Sequence, residues 1–218
     1  MHRSTPRERR TMAAVAVPLG LVLSATLAWQ STQAAFSATT ANAGNSWRSG
    51  SVVLDDNDSG AALFSSTADD DLRPGSTRSR CIRVDHTGDL TVDVRMYVST
   101  PTAAPATLDP YLVMSIERGA DVAAGATVAP DCTVGFTPTA PSTFAYNAAP
   151  ATDAAADPTR TLAHLKATHS DYETGLRVAP VTGPDTHLAF RITYVVADDD
   201  DAQRSEAQAV FTWEARNT

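Results

Sequence analysis

The stretch Leu90-Thr91-Val92-Asp93-Val94-Arg95-Met96-Tyr97-Val98 alternates apolar and polar residues with a period of two. Leu90, Val92, Val94, Met96 and Val98 fall on one face, and Thr91, Asp93 and Arg95 fall on the other. Successive strand side chains point to opposite sides, so this is the pattern of a half-buried β-strand. The same period recurs along the chain. Ser51 to Leu54 and Cys81 to Asp85 precede this stretch; Tyr111 to Ile116 is a denser apolar run; Leu188 to Val196 and Ala207 to Trp213 follow.

Turn formers lie between these runs. Asp55-Asp56-Asn57-Asp58-Ser59-Gly60 follows Leu54, Arg73-Pro74-Gly75 precedes the Cys81 run, and Asp198 to Asp201 divides the last two runs. His86-Thr87-Gly88-Asp89 reads as a hairpin turn. Short runs punctuated in this way predict an all-β fold, an antiparallel jelly-roll-like sandwich. Residues 100–110 and 129–160 are rich in Pro, Ala, Thr and Asp and read as long surface loops. Residues 159–172 hold Leu162, Leu165 and Tyr172 with few turn formers and predict one short helix.

The first 34 residues read differently. Arg3, Arg7, Arg9 and Arg10 precede an apolar run from Met12 to Ala28, and small and polar residues follow from Ser31 to Ala35. Basic, then apolar, then small is the order of a secretory signal peptide. The expectation is therefore a leader over 1–34, cut at the Ala34/Ala35 junction, and one secreted domain over 35–218. No second long apolar run exists, so the membrane is reached only through an uncleaved leader.

The leader holds four arginines and Glu8, so the exported part has 13 basic and 24 acidic residues, a net charge of −11. Such a chain repels nucleic acid, which is excluded as a partner. Only one of its cations is a lysine, Lys166; with the abundant alanine this suggests a GC-rich bacterial genome. Cys81 and Cys132 are the only cysteines, and an even pair in an exported chain reads as a disulfide. Two reduced buried thiols are the alternative.

Catalytic patterns are missing. His164 and His169 are five apart, about 140° around a helix, with no Glu between them, unlike a zinc-peptidase helix. His86 and His187 stand alone in the sequence. There is no Gly-x-Ser-x-Gly elbow, phosphate loop or dinucleotide fingerprint. No enzyme activity and no cofactor is expected. Asp55, Asn57 and Ser59 with Gly60 copy the first half of a calcium loop, but Ser66 stands where the bidentate acid belongs. Asp55, Asn57 and Asp58 form the calcium candidate, with solvated loop charge as the other reading.

Several segments together resemble the secreted TasA/camelysin-like proteins, particularly their actinobacterial relatives. They are Ala35-Phe36-Ser37-Ala38, then Trp47-Arg48-Ser49-Gly50-Ser51-Val52-Val53-Leu54 leading into Asp55-Asp56-Asn57-Asp58, then Leu72-Arg73-Pro74-Gly75 and Arg80-Cys81-Ile82-Arg83-Val84, and finally Phe211-Thr212-Trp213-Glu214-Ala215. The resemblance implies a jelly-roll-like sandwich, export, and a role in surface or biofilm-matrix fibres. Some relatives are labelled metallopeptidases; this chain lacks the zinc motif. The alanine-rich loops and the cysteine pair depart from the fibre-forming members.

The resulting expectation is a cell-surface or matrix structural protein whose partners are copies of itself or other surface proteins. The segment Ala35, Phe36, Ser37, Ala38, Thr39 and Thr40, β-permissive and freed by leader removal, is the candidate for strand addition to a neighbour. Pairing within its own domain is the alternative for that segment. A monomeric adhesin-type module using the 129–160 loop is the second functional reading, and a camelysin-like metallopeptidase the third.

Overall fold

The computed structural model describes residues 37–41, 54–59, 61–64, 72–102, 106–148, 153–181 and 186–217. The leader over 1–34, the Ala34/Ala35 junction and Phe36 lie outside them. The described residues form nine strands: β1 Ser37–Ala41, β2 Leu54–Asp56, β3 Thr77–His86, β4 Val92–Ser99, β5 Leu112–Gly119, β6 Pro138–Tyr146, β7 Leu176–Val181, β8 Thr186–Val196 and β9 Val210–Asn217. Helix α1 spans Leu162–Thr168. The antiparallel all-β sandwich with one short helix expected from the alternation is what the chain forms.

One sheet runs β1-β9-β4-β7 and the other β2-β3-β8-β5-β6, and every neighbouring pair is antiparallel. The first strand pairs with the last, β3 with β8, β4 with β7 and β5 with β6, so the pairs nest. In β4, Val92, Val94, Met96 and Val98 are fully buried. They meet Ile82 and Val84 of β3, Met114 and Ile116 of β5, and Leu188, Phe190 and Ile192 of β8 in one core. Trp213 of β9 and Phe190 of β8 join the two sheets directly, with ring centroids 5.8 Å apart.

Several expectations are corrected. Leu90 lies outside β4 and is 36% exposed; the strand starts at Val92. His86 to Asp89 is no hairpin turn, because β3 and β4 belong to different sheets. The connection crosses from one layer to the other, with His86 itself fully buried. Residues 129–160 are not a continuous loop, since β6 occupies Pro138–Tyr146. Its prolines, Pro138 and Pro141, are tolerated because β6 is an edge strand whose pairing with β5 is broken by register shifts. Strand β7 was hidden by its short, mixed sequence.

Helix α1 starts at Thr161, whose hydroxyl caps the His164 N–H at 3.2 Å. Leu162 and Leu165 point into the main core, so the helix is anchored by two leucines one turn apart.

Candidate functional site

Three features of the described residues are built rather than incidental: the terminal strand pair, the segment stapled to the other sheet, and a pocket beside α1.

Strand β1 is the edge of its sheet. It pairs with β9 in the register Ser37↔Arg216, Ala38↔Ala215, Thr39↔Glu214, Thr40↔Trp213 and Ala41↔Thr212. Ser37 to Thr40 of the candidate strand-addition segment thus pair within their own chain, whereas Ala35 and Phe36 lie outside the described residues. Strand β9 contributes Phe211, Trp213 and Ala215 to the core. Its alternate residues are tied into a polar ladder on the opposite face. Tyr97 donates its hydroxyl to Glu214 Oε2 at 3.1 Å, and Arg216 Nε donates to Glu214 Oε1 at 2.8 Å. The Arg216 guanidinium lies 3.8 Å from the centre of the Tyr172 ring, and that of Arg95 4.8 Å from it. Tyr172 donates to the Asp93 backbone oxygen at 3.1 Å, while the Asp93 carboxylate is held by Arg95 and Arg177. Strand β9 is therefore held on both faces, by the core on one side and by the ladder on the other.

The ladder has a pH signature. Burial, then the nearby Glu214 carboxylate, pushes the Tyr97 hydroxyl up to about 12. Burial, then the Asp157 charge, does the same for Tyr146, again to about 12. Tyr172 is raised by burial and by Asp93. A free tyrosine ionises near 10, so the folded state favours the neutral phenols. Their contribution is complete below about pH 10 and is lost as the pH rises toward 12. Ultraviolet titration of the phenolates is expected to show Tyr97 and Tyr146 ionising together with loss of the fold. Full ionisation of all tyrosines near pH 10 in a folded protein contradicts this.

On the other sheet, the segment 120–137 lies across the outer face of β3 and β8. Cys81 and Cys132 form a disulfide, the pairing expected from two cysteines in a chain read as exported. Around it Val128 and Ala189 are buried with Cys81, and Val122 and Phe136 pack on them. Past the end of β2 the segment takes over as edge partner of β3, since the Cys81 N–H donates to the Pro130 oxygen at 2.9 Å. Gly135 is required here. Its φ is +80°, and a Cβ would stand 2.0 Å from the Thr127 oxygen.

Asn57, a member of the calcium candidate, is spent on this face. Its Oδ1 accepts the Arg83 N–H at 2.7 Å and its Nδ2 donates to the Val128 oxygen at 2.8 Å. It joins β3 to the stapled segment. Asp58 sits half-buried in the turn that follows, and the side chain of Asp55 is outside the described residues. Among the described residues no three His, Cys, Asp or Glu side chains are grouped as metal ligands would be.

The pocket beside α1 has a volume of about 400 Å³ and is lined by Pro110, Tyr111, Ala154, Ala155, Pro158, Thr161, Ala163, His164 and Asp199. Its walls are mostly apolar, with Tyr111, His164 and Asp199 as the ionisable groups. Tyr146 donates its hydroxyl to the Thr159 oxygen at 2.8 Å, so the 3.1 Å contact with His164 Nδ1 has the histidine as donor. In the neutral ring the proton is thereby placed on Nδ1 and Nε2 is left as an acceptor. His169 stacks edge-on against the same Tyr146 ring, 6.0 Å away, and its Nδ1 donates to the Thr174 oxygen at 2.6 Å. His187 Nδ1 donates to Asp85 Oδ1 at 2.7 Å.

No family model, curated protein or solved structure matches the chain. The site therefore stands on its own geometry. Sequence reasoning placed the cysteine pair and the first strand. It missed the pocket and the ladder. The alternating Asp93, Arg95, Tyr97 and Thr212, Glu214, Arg216 carried a signal for the ladder, because polar residues on the outer face of two paired strands become cross-strand partners.

Proposed function

We propose that the chain is an exported structural subunit of the bacterial cell surface or extracellular matrix, TasA/camelysin-like in type, whose copies join by strand transfer. The observation that carries this reading is the position of β1. It is a five-residue edge strand, it follows in sequence the segment read as a leader, and among the described residues its strand partner is β9. The nested strand pairing supports the jelly-roll-like topology that the family resemblance implies.

A strand of this kind has two equivalent partners, the β9 of its own chain and the β9 of a neighbour, with the same register and the same hydrogen bonds. Exchange costs little once β1 is detached, and head-to-tail exchange propagates as a fibre wherever its rotation does not close into a ring. The leader would hold β1 at the membrane, which delays assembly until cleavage.

Light scattering on three proteins tests this. The mature chain from Ala35 is expected to form elongated assemblies, the chain retaining its leader is not, and a chain beginning at Ala43 is expected to stay monomeric. A synthetic peptide of residues 35–42 is expected to bind the Ala43 chain, which shows that the shortened domain is folded with a vacant β9 edge. Assembly of the Ala43 chain to the same extent as the mature one removes β1 as the connector.

The α1 pocket favours a second reading, a monomeric surface-binding module. Three of its lining residues, Ala154, Ala155 and Pro158, come from the 129–160 region assigned that role from the sequence. A soluble monomer of the mature chain that retains a small ligand in this pocket would put that reading first.

A further inference from the structure

The chain has 17 cationic side chains, of which 16 are arginine and one is lysine. That lysine is not on the surface. Lys166 projects from α1 so that its Nζ lies 2.6 Å from Asp109 Oδ2, with the two side chains 9% and 6% exposed. A second donation, to the Gln208 oxygen at 2.7 Å, holds the amine in place. Asp109 itself is 4% exposed, and its other oxygen, Oδ1, is buried with no hydrogen-bond partner among the described residues.

We propose that Lys166 and Asp109 are the two ends of an intramolecular amide cross-link. Everywhere else the chain uses guanidinium, which keeps its protons and does not attack carbonyl carbon. At this one buried position it uses an amine, which is a nucleophile once it gives up a proton. The amine is already in contact with the atom that would take that proton.

The step balances without an oxidant or a co-reactant. One proton passes from Nζ to Oδ2 along their hydrogen bond, leaving an amine beside a carboxylic acid. The Nζ lone pair attacks Cγ and an N–C bond forms. The Cγ–Oδ2 bond breaks, and Oδ2 leaves with a second proton from nitrogen as water. Oδ1 remains as the amide oxygen, the neutral role that a buried oxygen without donors accommodates better than a shared carboxylate charge. Exclusion of bulk water protects the product from hydrolysis. The residue after Asp109 is Pro110, which has no N–H, so the carboxyl group cannot take the usual competing route of cyclising onto its own backbone.

The link would close the end of the sandwich where β4 leads to β5 and β8 leads to β9. Asp109 lies in the first of these connections and Gln208 in the second, and the two are already joined by Leu108 N–H donating to the Glu206 oxygen at 2.9 Å. The inference does not depend on strand transfer and survives its failure.

Intact mass of the reduced, secreted protein tests the proposal. It is expected to fall short of the sequence mass of the mature chain by one water, and the Lys166→Arg chain is expected to have its full mass. Trypsin is expected to release one branched peptide joining 96–118 to 161–177, with no cut after Lys166. The acid-labile Asp109–Pro110 bond is expected to resist dilute acid, whereas Asp157–Pro158, which lacks a lysine partner, is cleaved. A full mass in the folded wild-type protein, a free 161–166 peptide, or a deficit that persists in Lys166→Arg overturns the proposal. Asp109→Asn, which removes the oxygen that takes the proton from Nζ, is expected to keep its full mass, and a deficit of one ammonia in it overturns the proposed step; this keeps the chemistry testable if Lys166→Arg fails to fold.

Discussion

Replacing both cysteines by serine is expected to lower the stability of the domain by about 4 kcal/mol, the chain-entropy value for a closed loop of roughly 50 residues. The bridge joins residues 51 apart in sequence. It ties the middle of β3 to a segment held otherwise by one small apolar cluster, by the Cys81 N–H donating to the Pro130 oxygen at 2.9 Å and the Val122 N–H to the His187 oxygen at 3.0 Å, by Arg83 donating to the Ala126 oxygen, by the Asn57 link to Val128 and by Arg191 over Phe136. In the folded state without the bridge, those contacts must order residues 120–137 alone, at a backbone cost of about 1–2 kcal/mol per residue. The segment is therefore expected to open locally below the global transition, and the melting temperature to drop by roughly 10 °C for a domain of this size. Hydrogen exchange is expected to show the 120–137 amides and the β3 edge losing protection while β4 and β9 keep theirs. An unchanged denaturation midpoint in the double serine variant means that the bridge adds nothing to stability. The double substitution is used because a single one leaves a free thiol that can pair between molecules.

The second large effect is expected at Arg191. Glu117 of β5 and Arg191 of β8 stand directly opposite in the register. Arg191 donates both Nε, at 3.0 Å, and Nη2 to Glu117 Oε2. Glu117 is 2% exposed, so its carboxylate is removed from water and depends on this partner. The Arg191 guanidinium also covers the Phe136 ring at 4.9 Å, which couples the pair to the stapled segment. Arg191→Ala leaves a buried carboxylate uncompensated, a change that costs 3–5 kcal/mol for fully buried pairs. About 3 kcal/mol is expected here, because the arginine side chain is 36% exposed and water enters when it is removed. Adding Glu117→Leu to Arg191→Leu removes both charges and is expected to restore most of the loss. Urea unfolding of the single and double variants measures this. A double variant as unstable as the single one means that packing of the arginine stem, not the charge on Glu117, sets the cost.

Much of the fold was legible because strand periodicity is local. Val92 to Val98 could be read as one buried face without knowing what lay against it, and Leu188 to Val196 in the same way. The short helix was marked by Leu162 and Leu165, and the disulfide by the count of two cysteines in a chain read as exported. Leu90 was misplaced because alternation has no sharp end, and an extra apolar residue in phase looks like part of the strand. The run Pro138 to Tyr146 was read as loop because its prolines argue against a strand, and only its place at a sheet edge makes them harmless.

What the sequence could not contain is which strand meets which. His86 to Asp89 has the composition of a hairpin turn, yet β3 and β4 lie in different sheets, since each finds a longer partner elsewhere: β8 over ten residue pairs and β9 over eight. Pairing energy is summed along whole strands, and nearness in sequence does not outweigh it. The pair Lys166 and Asp109, 57 residues apart, and the ladder from Tyr97 to Glu214 exist only because two connections and two strands converge. The local pattern of side chains determined an antiparallel β-sandwich with one pair of cysteines available as a staple. The tertiary structure alone decided where its first strand rests, which carboxylate its single lysine faces, and what its stapled segment covers, because each of these is a contact between residues that the chain separates and only packing of the two sheets brings together.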